Sequence, residues 1–187
     1  MDPIRPAELN PARAHFRTAG PGDVHIVVGL VESAYRGTAS RAGWTTEADL
    51  LDGQRTDADA VTHLLSRPDS VIVLAETSEP VGCFHLERRQ PGTAYFGLFA
   101  VSPVVQGRGL GRSMLAEAGR RAVEWACERV EMTVIRQRED LIAWYRRLAF
   151  TPTGETEPFP YGDERFGRPK RDDLEFVVLA GGVRDHV

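Results

Sequence analysis

The sequence predicts an α/β fold, in which a mixed central sheet of six to seven strands is flanked by about four helices. Apolar runs with the period of strands alternate with segments whose apolar residues recur at helical spacing. The chain has 187 residues, of which 42% are hydrophobic, so it suffices for one well-packed domain and is short for two. Strands and helices in this order are typical of one layered α/β domain.

Residues 1–13 contain three prolines and no periodic pattern, so we expect an extended N-terminal arm ahead of one domain spanning residues 14–187. The second helix is predicted to begin at Thr56, which would form a capping box with Asp59. The predicted helices cover residues 21–37, 56–67, 113–127 and 139–148. The predicted strands cover residues 15–17, 71–76, 81–87, 94–101, 130–135 and 174–179, and another begins at Phe150, followed by a proline- and glycine-rich loop over residues 152–169.

The most informative segment is the glycine-rich turn between the strand at 94–101 and the third helix. It runs Gln106-Gly107-Arg108-Gly109-Leu110-Gly111-Arg112. Without Cβ atoms a backbone can approach an anion closely, and the first amides of a helix have no partners within it. The helix dipole also favours negative charge there, so the sequence predicts a phosphate-binding turn.

The glycine spacing distinguishes among phosphate-binding turns. A dinucleotide fold would show G-x-G-x-x-G and an acidic residue about 20 positions later, but here the next strand ends at Arg136. A P-loop would show Gly-Lys-Ser/Thr, whereas this chain has Arg112-Ser113. Neither motif fits the turn.

The pattern Gln-x-x-Gly-x-Gly resembles the pyrophosphate loop of the GNAT acetyltransferase superfamily. Two further segments extend the resemblance over residues 94–150. Val101-Ser102-Pro103 resembles the end of the family's fourth strand, and the segment from Leu141 to Phe150 resembles the later helix written A-x-x-F-Y-x-x-x-G-F. The chain is identified on these motifs as resembling acetyl-CoA-dependent N-acetyltransferases.

The resemblance implies acetyl-CoA as co-substrate and assigns residues to it. The turn would hold the pyrophosphate, the strand end would present backbone groups to the pantetheine arm and the acetyl carbonyl, and Tyr145 would protonate the departing thiolate. Arg138 stands where relatives often carry asparagine, and Ala149 where they carry glycine. The predicted donor-binding residues are Phe99, Ala100, Val101, Gln106, Gly107, Arg108, Gly109, Leu110, Gly111, Arg112, Ser113 and Arg138.

The general base is less well defined. Many relatives have a glutamate within the fourth strand, but residues 95–98 of this chain contain no acid. His85 and Glu87 share one face of the adjacent strand by their i, i+2 spacing and are the favoured catalytic candidates. Glu32, Glu47 and an ordered water relay remain alternatives.

Acceptor recognition is expected from variable loops, and the predicted acceptor-binding residues are Tyr35, Trp44, Glu47 and Phe159. Aromatic rings and acidic loops together favour a small cationic amine. Two other functions stay open: acetylation of a protein lysine or N-terminal amine, and a CoA-binding regulatory module without transfer activity.

Composition excludes several other classes. A net charge of −4 argues against a nucleic-acid or anionic-membrane partner. Two distant cysteines and five scattered histidines predict neither a disulfide nor a metal site. We find no leader-like start and no apolar run approaching 18 residues, so a cytoplasmic protein is expected. The oligomeric state stays open, with a homodimer among the options.

Overall fold

The computed structural model describes residues 14–185, so the predicted arm at residues 1–13 lies outside the described residues. Within this part of the chain the strands are β1 (His15–Thr18), β2 (Leu51–Asp52), β3 (Ser70–Glu76), β4 (Pro80–Gln90), β5 (Thr93–Val101), β6 (Arg129–Ile135), β7 (Thr151–Pro158), β8 (Arg168–Pro169) and β9 (Glu175–Gly182). The α-helices are α1 (Val24–Tyr35), α2 (Gly37–Ser40), α3 (Ala58–Ser66), α4 (Leu110–Glu124) and α5 (Glu139–Arg146).

Seven strands form one mixed sheet in the order β1-β3-β4-β5-β6-β9-β7, and β2 pairs with β8 separately. Only the β5–β6 pair is parallel within residues 14–185. The α/β prediction of six to seven strands is confirmed. The four long helices match the predicted four, and α2 adds a single turn. No helix among the described residues is long and apolar enough to cross a membrane.

Helices cover both faces of the sheet, as the alternation of side chains along β4 requires. Phe84 and Leu86 point to one face and join the cluster that contains Met114 of α4. Cys83 points to the other face and joins Val31 of α1 and Val61 of α3. The sheet is therefore the middle of three layers.

The strands β5 and β6 separate part-way along their length. Their pairing runs only from Thr93 opposite Arg129 to Tyr95 opposite Glu131. Farther along β5 the register with β4 shifts, and Leu98 adopts a φ of 48°, which marks a bulge. The last residues of β5 therefore have β4 on one side and an opening, instead of β6, on the other.

Two predicted details were wrong. The strand predicted to begin at Phe150 is β7, but it continues to Pro158, through residues expected to be a loop, and it pairs with β9 at the sheet edge, where proline and glycine are tolerated. The residue that caps α3 is Asp57, whose Oδ1 accepts the amide of Ala60 at 2.8 Å, and not Thr56. The amide of Thr56 instead donates to Oε1 of Glu32 at 2.9 Å, so Glu32 fixes a loop.

Candidate active site

The glycine turn presents open backbone at the start of α4. Gly107 and Gly109 have φ values of 77° and 87°, and a Cβ at either position would meet nothing within 4 Å. The helix begins at Leu110, three residues before the predicted start, and the amide of Ser113 bonds to the carbonyl of Gly109. The preceding helical amides thus have no partner within the helix and are positioned to bind an anion.

A cavity of about 350 Å³ opens beside this turn. Three aromatic rings form part of its apolar wall, with Trp144 between the other two. The ring centroids of Trp144 and Trp44 are 5.9 Å apart, and those of Trp144 and Phe99 are 6.2 Å apart. The cavity therefore combines an anion-binding end with an apolar channel, as the pyrophosphate and the pantetheine arm of CoA require.

The end of β5 presents backbone groups to this cavity. The amide of Ser102 donates to Val81 on the β4 side. Because successive residues of a strand direct their backbone groups to opposite edges, the N–H and C=O groups of Val101 and Phe99 lie on the edge that β6 leaves open. The carbonyl oxygens of these two residues accept side-chain hydrogen bonds there. A carbonyl oxygen bound at this edge would face the amides of these two residues.

Gln106 lines the cavity and also binds the loop that carries Trp44. Its Oε1 accepts the amide of Trp44 at 2.9 Å, and its Nε2 donates to Thr45 Oγ1 at 2.9 Å and to the carbonyl of Val101 at 2.8 Å. A Cβ on Gly43 would clash with the side-chain amide of Gln106, so any larger residue at position 43 would force this side chain to shift. This side chain positions the cavity wall.

Arg138 holds the same loop from the other side. Its buried guanidinium donates through Nη1 to the carbonyl of Thr45 at 2.9 Å and through Nε to Asp140 at 3.1 Å. Arg138 is the N-cap residue of α5, and its side chain makes no capping hydrogen bond to the helix. The guanidinium is engaged by protein groups and acts on the site by fixing the Trp44 loop.

Tyr145 does not itself line the cavity but packs against Trp144, which does. Its buried ring contacts those of Trp144 and Phe150 at centroid distances of 5.0 and 5.8 Å. Burial raises the pKa of this phenol well above 10, and the nearby Tyr35 adds to the effect. The hydroxyl therefore remains protonated at neutral pH, as a proton donor to a thiolate must.

The two favoured base candidates are engaged in the sheet. Nε2 of His85 is hydrogen-bonded to Ser70 Oγ at 2.7 Å, and burial lowers the pKa of His85 to about 4. The buried carboxylate of Glu87 forms ion pairs with Arg67 and Arg89. Neither His85 nor Glu87 lines the cavity. These contacts give both side chains structural partners, and their catalytic roles stay predictions.

Three of the four predicted acceptor residues lie together at the end of α1. The hydroxyl of Tyr35 donates to the carbonyl of Phe99, at the open edge of β5. Tyr35 also accepts the amide of Glu47 at 3.0 Å, and the Glu47 carboxylate pairs with Arg36 at 2.5 Å. Trp44 lies on the adjoining loop and lines the cavity.

Phe159 is placed elsewhere. Its buried ring packs with Leu51, Ile135 and Leu174 in a separate hydrophobic cluster and stacks on Phe176 at 5.6 Å. Trp144 and Leu141 also line the cavity, from α5, and were not among the predicted site residues. Both residues lie on the helix that was predicted to carry Tyr145, and this position could have indicated that they line the site. Thr45 also lines it, and the sequence contains no signal for that residue.

Comparison with known proteins agrees with this geometry. The model of the acetyltransferase (GNAT) family matches residues 25–150. No curated protein matches the chain in sequence.

Solved structures share the fold at low sequence identity. The ribosomal-protein-alanine N-acetyltransferase from Brucella melitensis is 18% identical with a TM-score of 0.65, and the match covers 90% of this chain and 99% of that one. Nourseothricin acetyltransferase is 18% identical with a TM-score of 0.62, covering 91% and 98%. The IAA acetyltransferase from Bacillus cereus ATCC 14579 is 16% identical with a TM-score of 0.61, covering 90% and 99%. With the glycine turn, the open edge of β5 and the family match over residues 25–150, this chain belongs to the GNAT family of acetyltransferases.

Proposed function

We propose that this protein transfers an acetyl group from acetyl-CoA to the primary amine of a small molecule, directly within a ternary complex. The observation that carries the proposal is the cavity of about 350 Å³ between the helix start at Leu110 and the open edge of β5. Tyr145 lies beside it, one residue from the lining Trp144. One site thus combines an anion cradle, carbonyl-polarising amides and a protonated phenol.

Three groups of the chain bind the donor, acetyl-CoA. The amides that follow Gly109 hold the pyrophosphate, and Arg112 lines the cavity and adds positive charge. The amides of Phe99 and Val101 receive the pantetheine arm and stabilise the oxygen that becomes negative when the amine attacks. Acetyl-CoA supplies the activated thioester.

Tyr145 completes the transfer as the acid. Burial keeps this phenol protonated, and desolvation also makes the departing thiolate more basic, so the phenol can donate its proton to it. The attacking amine must also lose a proton. The engagement of His85 with Ser70, and of Glu87 with two arginines, favours a water relay over direct removal by either side chain.

The cover over the end of β6 favours a small acceptor over a protein. Strand β8 pairs with β2, and the amide of Lys170 donates to the carbonyl of Leu50 at 2.9 Å. Below this pair, Leu51 and Phe159 pack on Ile135 at the end of β6. A protein acceptor would need an open groove there. The named acceptors of the structural relatives include both kinds: nourseothricin for one and a ribosomal-protein alanine for another.

The experiment follows free thiol while the protein is incubated with acetyl-CoA and a panel of small amines, with lysine- and N-terminal-amine peptides in parallel. Turnover with a small amine that exceeds turnover with every peptide supports the proposal. Turnover with peptides alone would assign a protein acceptor. Acetyl-CoA binding without any transfer, unchanged by Tyr145→Phe, would instead support a regulatory CoA-binding module.

A further inference from the structure

A bulge interrupts β5 just before the end that lines the donor cavity. Two residues of β5, Leu98 and Phe99, lie opposite a single residue of β4, Phe84. Leu98 has a φ of 48°, a left-handed conformation that residues with a Cβ rarely adopt. Such a backbone persists only where surrounding contacts fix it, and it is found most often at functional sites. The contacts that hold this bulge therefore bear on the chemistry of the site.

The thiol of Cys83 holds the first carbonyl of the bulge. Cys83 lies on β4, is fully buried, and donates through Sγ to the carbonyl oxygen of Leu98 at 3.7 Å. Burial raises the pKa of this thiol to about 12, so its hydrogen remains available at neutral pH. The peptide between Leu98 and Phe99 is trans, and a trans peptide directs its C=O and its N–H to opposite sides. The amide of Phe99 therefore points away from β4, toward the open edge.

The hydroxyl of Tyr35 holds the carbonyl on the other side of Phe99. Tyr35 is the last residue of α1 and is buried, and its hydroxyl donates to the carbonyl oxygen of Phe99, 64 residues farther along the chain. Burial raises the pKa of this phenol as well, so it remains a donor. Each of the two peptides that meet at Phe99 thus has its carbonyl bound by a buried side chain.

The ring of Phe99 adds a third constraint. Its centroid lies 5.0 Å from that of Phe96, and a Cβ on Gly111 would lie 3.3 Å from it. Contacts from β4, from α1 and from the start of α4 therefore act on one residue. Because these elements are packed into the core, Phe99 has little freedom to rotate.

We infer that Cys83 and Tyr35 are positioning residues, whose hydrogen bonds to the two carbonyls hold the amide of Phe99 at the acyl oxygen of the bound donor. A carbonyl-polarising amide is effective only where negative charge develops, and a small displacement costs much of the rate. Cys83 is not among the residues that line the donor cavity, so it acts through the bulge. The effect on rate rests on the proposed function; the effect on a bound acyl carbonyl does not.

The first experiment needs no acceptor. The infrared stretching frequency of the acetyl carbonyl is measured for free and protein-bound acetyl-CoA, with carbon-13 at that carbonyl to isolate its band. A hydrogen bond from the amide of Phe99 lowers this frequency in the wild type. Cys83→Ala removes the thiol, and Tyr35→Phe removes the hydroxyl and keeps the ring. The downshift on binding should shrink by at least about half in each variant.

The matched control is Cys127→Ala. This residue is the other buried cysteine, and its Sγ donates to the carbonyl of Trp125 at 3.9 Å, just beyond the end of α4 and ahead of β6. The variant loses the same group at the far end of β5 and should keep the wild-type shift. If Cys83→Ala folds poorly, Cys83→Val removes the donor while filling the space.

The second experiment separates rate from affinity. With a small amine that the wild type acetylates, Cys83→Ala and Tyr35→Phe should each lower kcat about 10-fold. The Kd for acetyl-CoA, measured by calorimetry, should change by less than about 3-fold, because the glycine turn is unaltered. A contact that only stabilised the fold would lower the melting temperature and leave the carbonyl frequency and kcat of the folded protein unchanged.

The two readouts distinguish this inference from the proposed function. If no amine is acetylated but the carbonyl shift depends on Cys83 and Tyr35, the proposed transfer fails and the positioning role stands. If amines are acetylated and both variants match the wild type in carbonyl shift and kcat, the positioning role is overturned and the transfer stands. Failure of the wild type to bind acetyl-CoA would overturn both.

Discussion

The side-chain oxygen of Gln106 accepts the backbone N–H of Trp44 at 2.9 Å, across 62 residues of chain. The nitrogen of the same side chain donates to the carbonyl of Val101 at the end of β5. Gln106 therefore ties the Trp44 loop to the sheet and holds the ring of Trp44 against that of Trp144. The leading glutamine of the glycine turn shapes the cavity through these bonds.

Gln106→Glu should destabilise the protein and weaken acetyl-CoA binding together. The carboxylate can still accept from Trp44, but it cannot donate to Val101, and two acceptors then face each other. We expect a loss of about 1 to 3 kcal/mol in the free energy of unfolding, measured by urea denaturation, and a higher KM for acetyl-CoA. Gln90→Glu, at the exposed end of β4, is the control. An unchanged KM would contradict the positioning role.

Gly109→Glu should abolish acetyl-CoA binding, as measured by calorimetry. The substitution places a carboxylate and a side chain where the structure leaves space for an anion, and it strains a backbone with a φ of 87°. Gly92→Glu separates the effect of backbone strain from that of a carboxylate at the anion site. Gly92 has a φ of 78° and open surroundings, but it lies at the opposite end of β5. Affinity retained in Gly109→Glu would be incompatible with the pyrophosphate assignment.

Tyr145→Phe should lower kcat by about 100-fold and leave acetyl-CoA affinity nearly unchanged. The ring contacts with Trp144 and Phe150 survive the change, and only the proton donor is lost. Steady-state kinetics and calorimetry measure the two quantities. Tyr161→Phe, which removes a hydroxyl from an exposed loop residue, is the control. Equal kcat values for wild type and Tyr145→Phe would rule out the acid role.

Ala149→Gly should stabilise the protein by about 0.5 to 1 kcal/mol. Ala149 has a φ of 64°, a left-handed conformation that costs a residue with a Cβ about 1 to 2 kcal/mol, and glycine recovers this cost less its own entropy loss. The positive φ at position 149 explains why a glycine was expected before Phe150. Ala143→Gly, in the middle of α5, should instead destabilise by about 0.5 to 1 kcal/mol. Urea denaturation measures the change in unfolding free energy for both variants. Changes of the same sign would argue against backbone strain at Ala149.

His85 should make stability depend on pH. Burial holds its pKa at about 4 in the folded protein, below the value of 6.5 for an exposed histidine. Between these values the unfolded chain binds a proton that the folded chain does not, so stability falls as pH falls from about 6.5 to about 4, by roughly 3 kcal/mol in all.

The test is His85→Gln, which keeps a hydrogen-bonding group for Ser70 and removes the titration. The decline in unfolding free energy between pH 7 and pH 5 should become shallower in this variant. His63→Gln, at an exposed position on α3, should keep the wild-type slope. Identical slopes for the two variants would show that His85 is not the titrating group.

Local patterns predicted much of this molecule. The strand periods, the glycine turn at Gly107 and Gly109 and the helix carrying Tyr145 are contiguous features, so their structure follows from neighbours in sequence. A strand was predicted to begin at Phe150, but its continuation as β7 to Pro158 was missed because Pro152 and Gly154 oppose strand formation locally, and only pairing with β9 overrides them. The α3 boundary was displaced by one residue because Thr56 and Asp57 are both good caps.

The α/β fold class, the family resemblance and the place of the donor turn could be predicted from the sequence, because each depends on local patterns and on their order along the chain. The positioning of the Trp44 loop by Gln106 and Arg138, and the burial of Arg36 with one edge paired to Glu47 and the other unpaired, are visible only in the folded chain. Those relationships join residues far apart in the chain, and a side chain's partners there are set by the packing of whole elements, which no local period encodes.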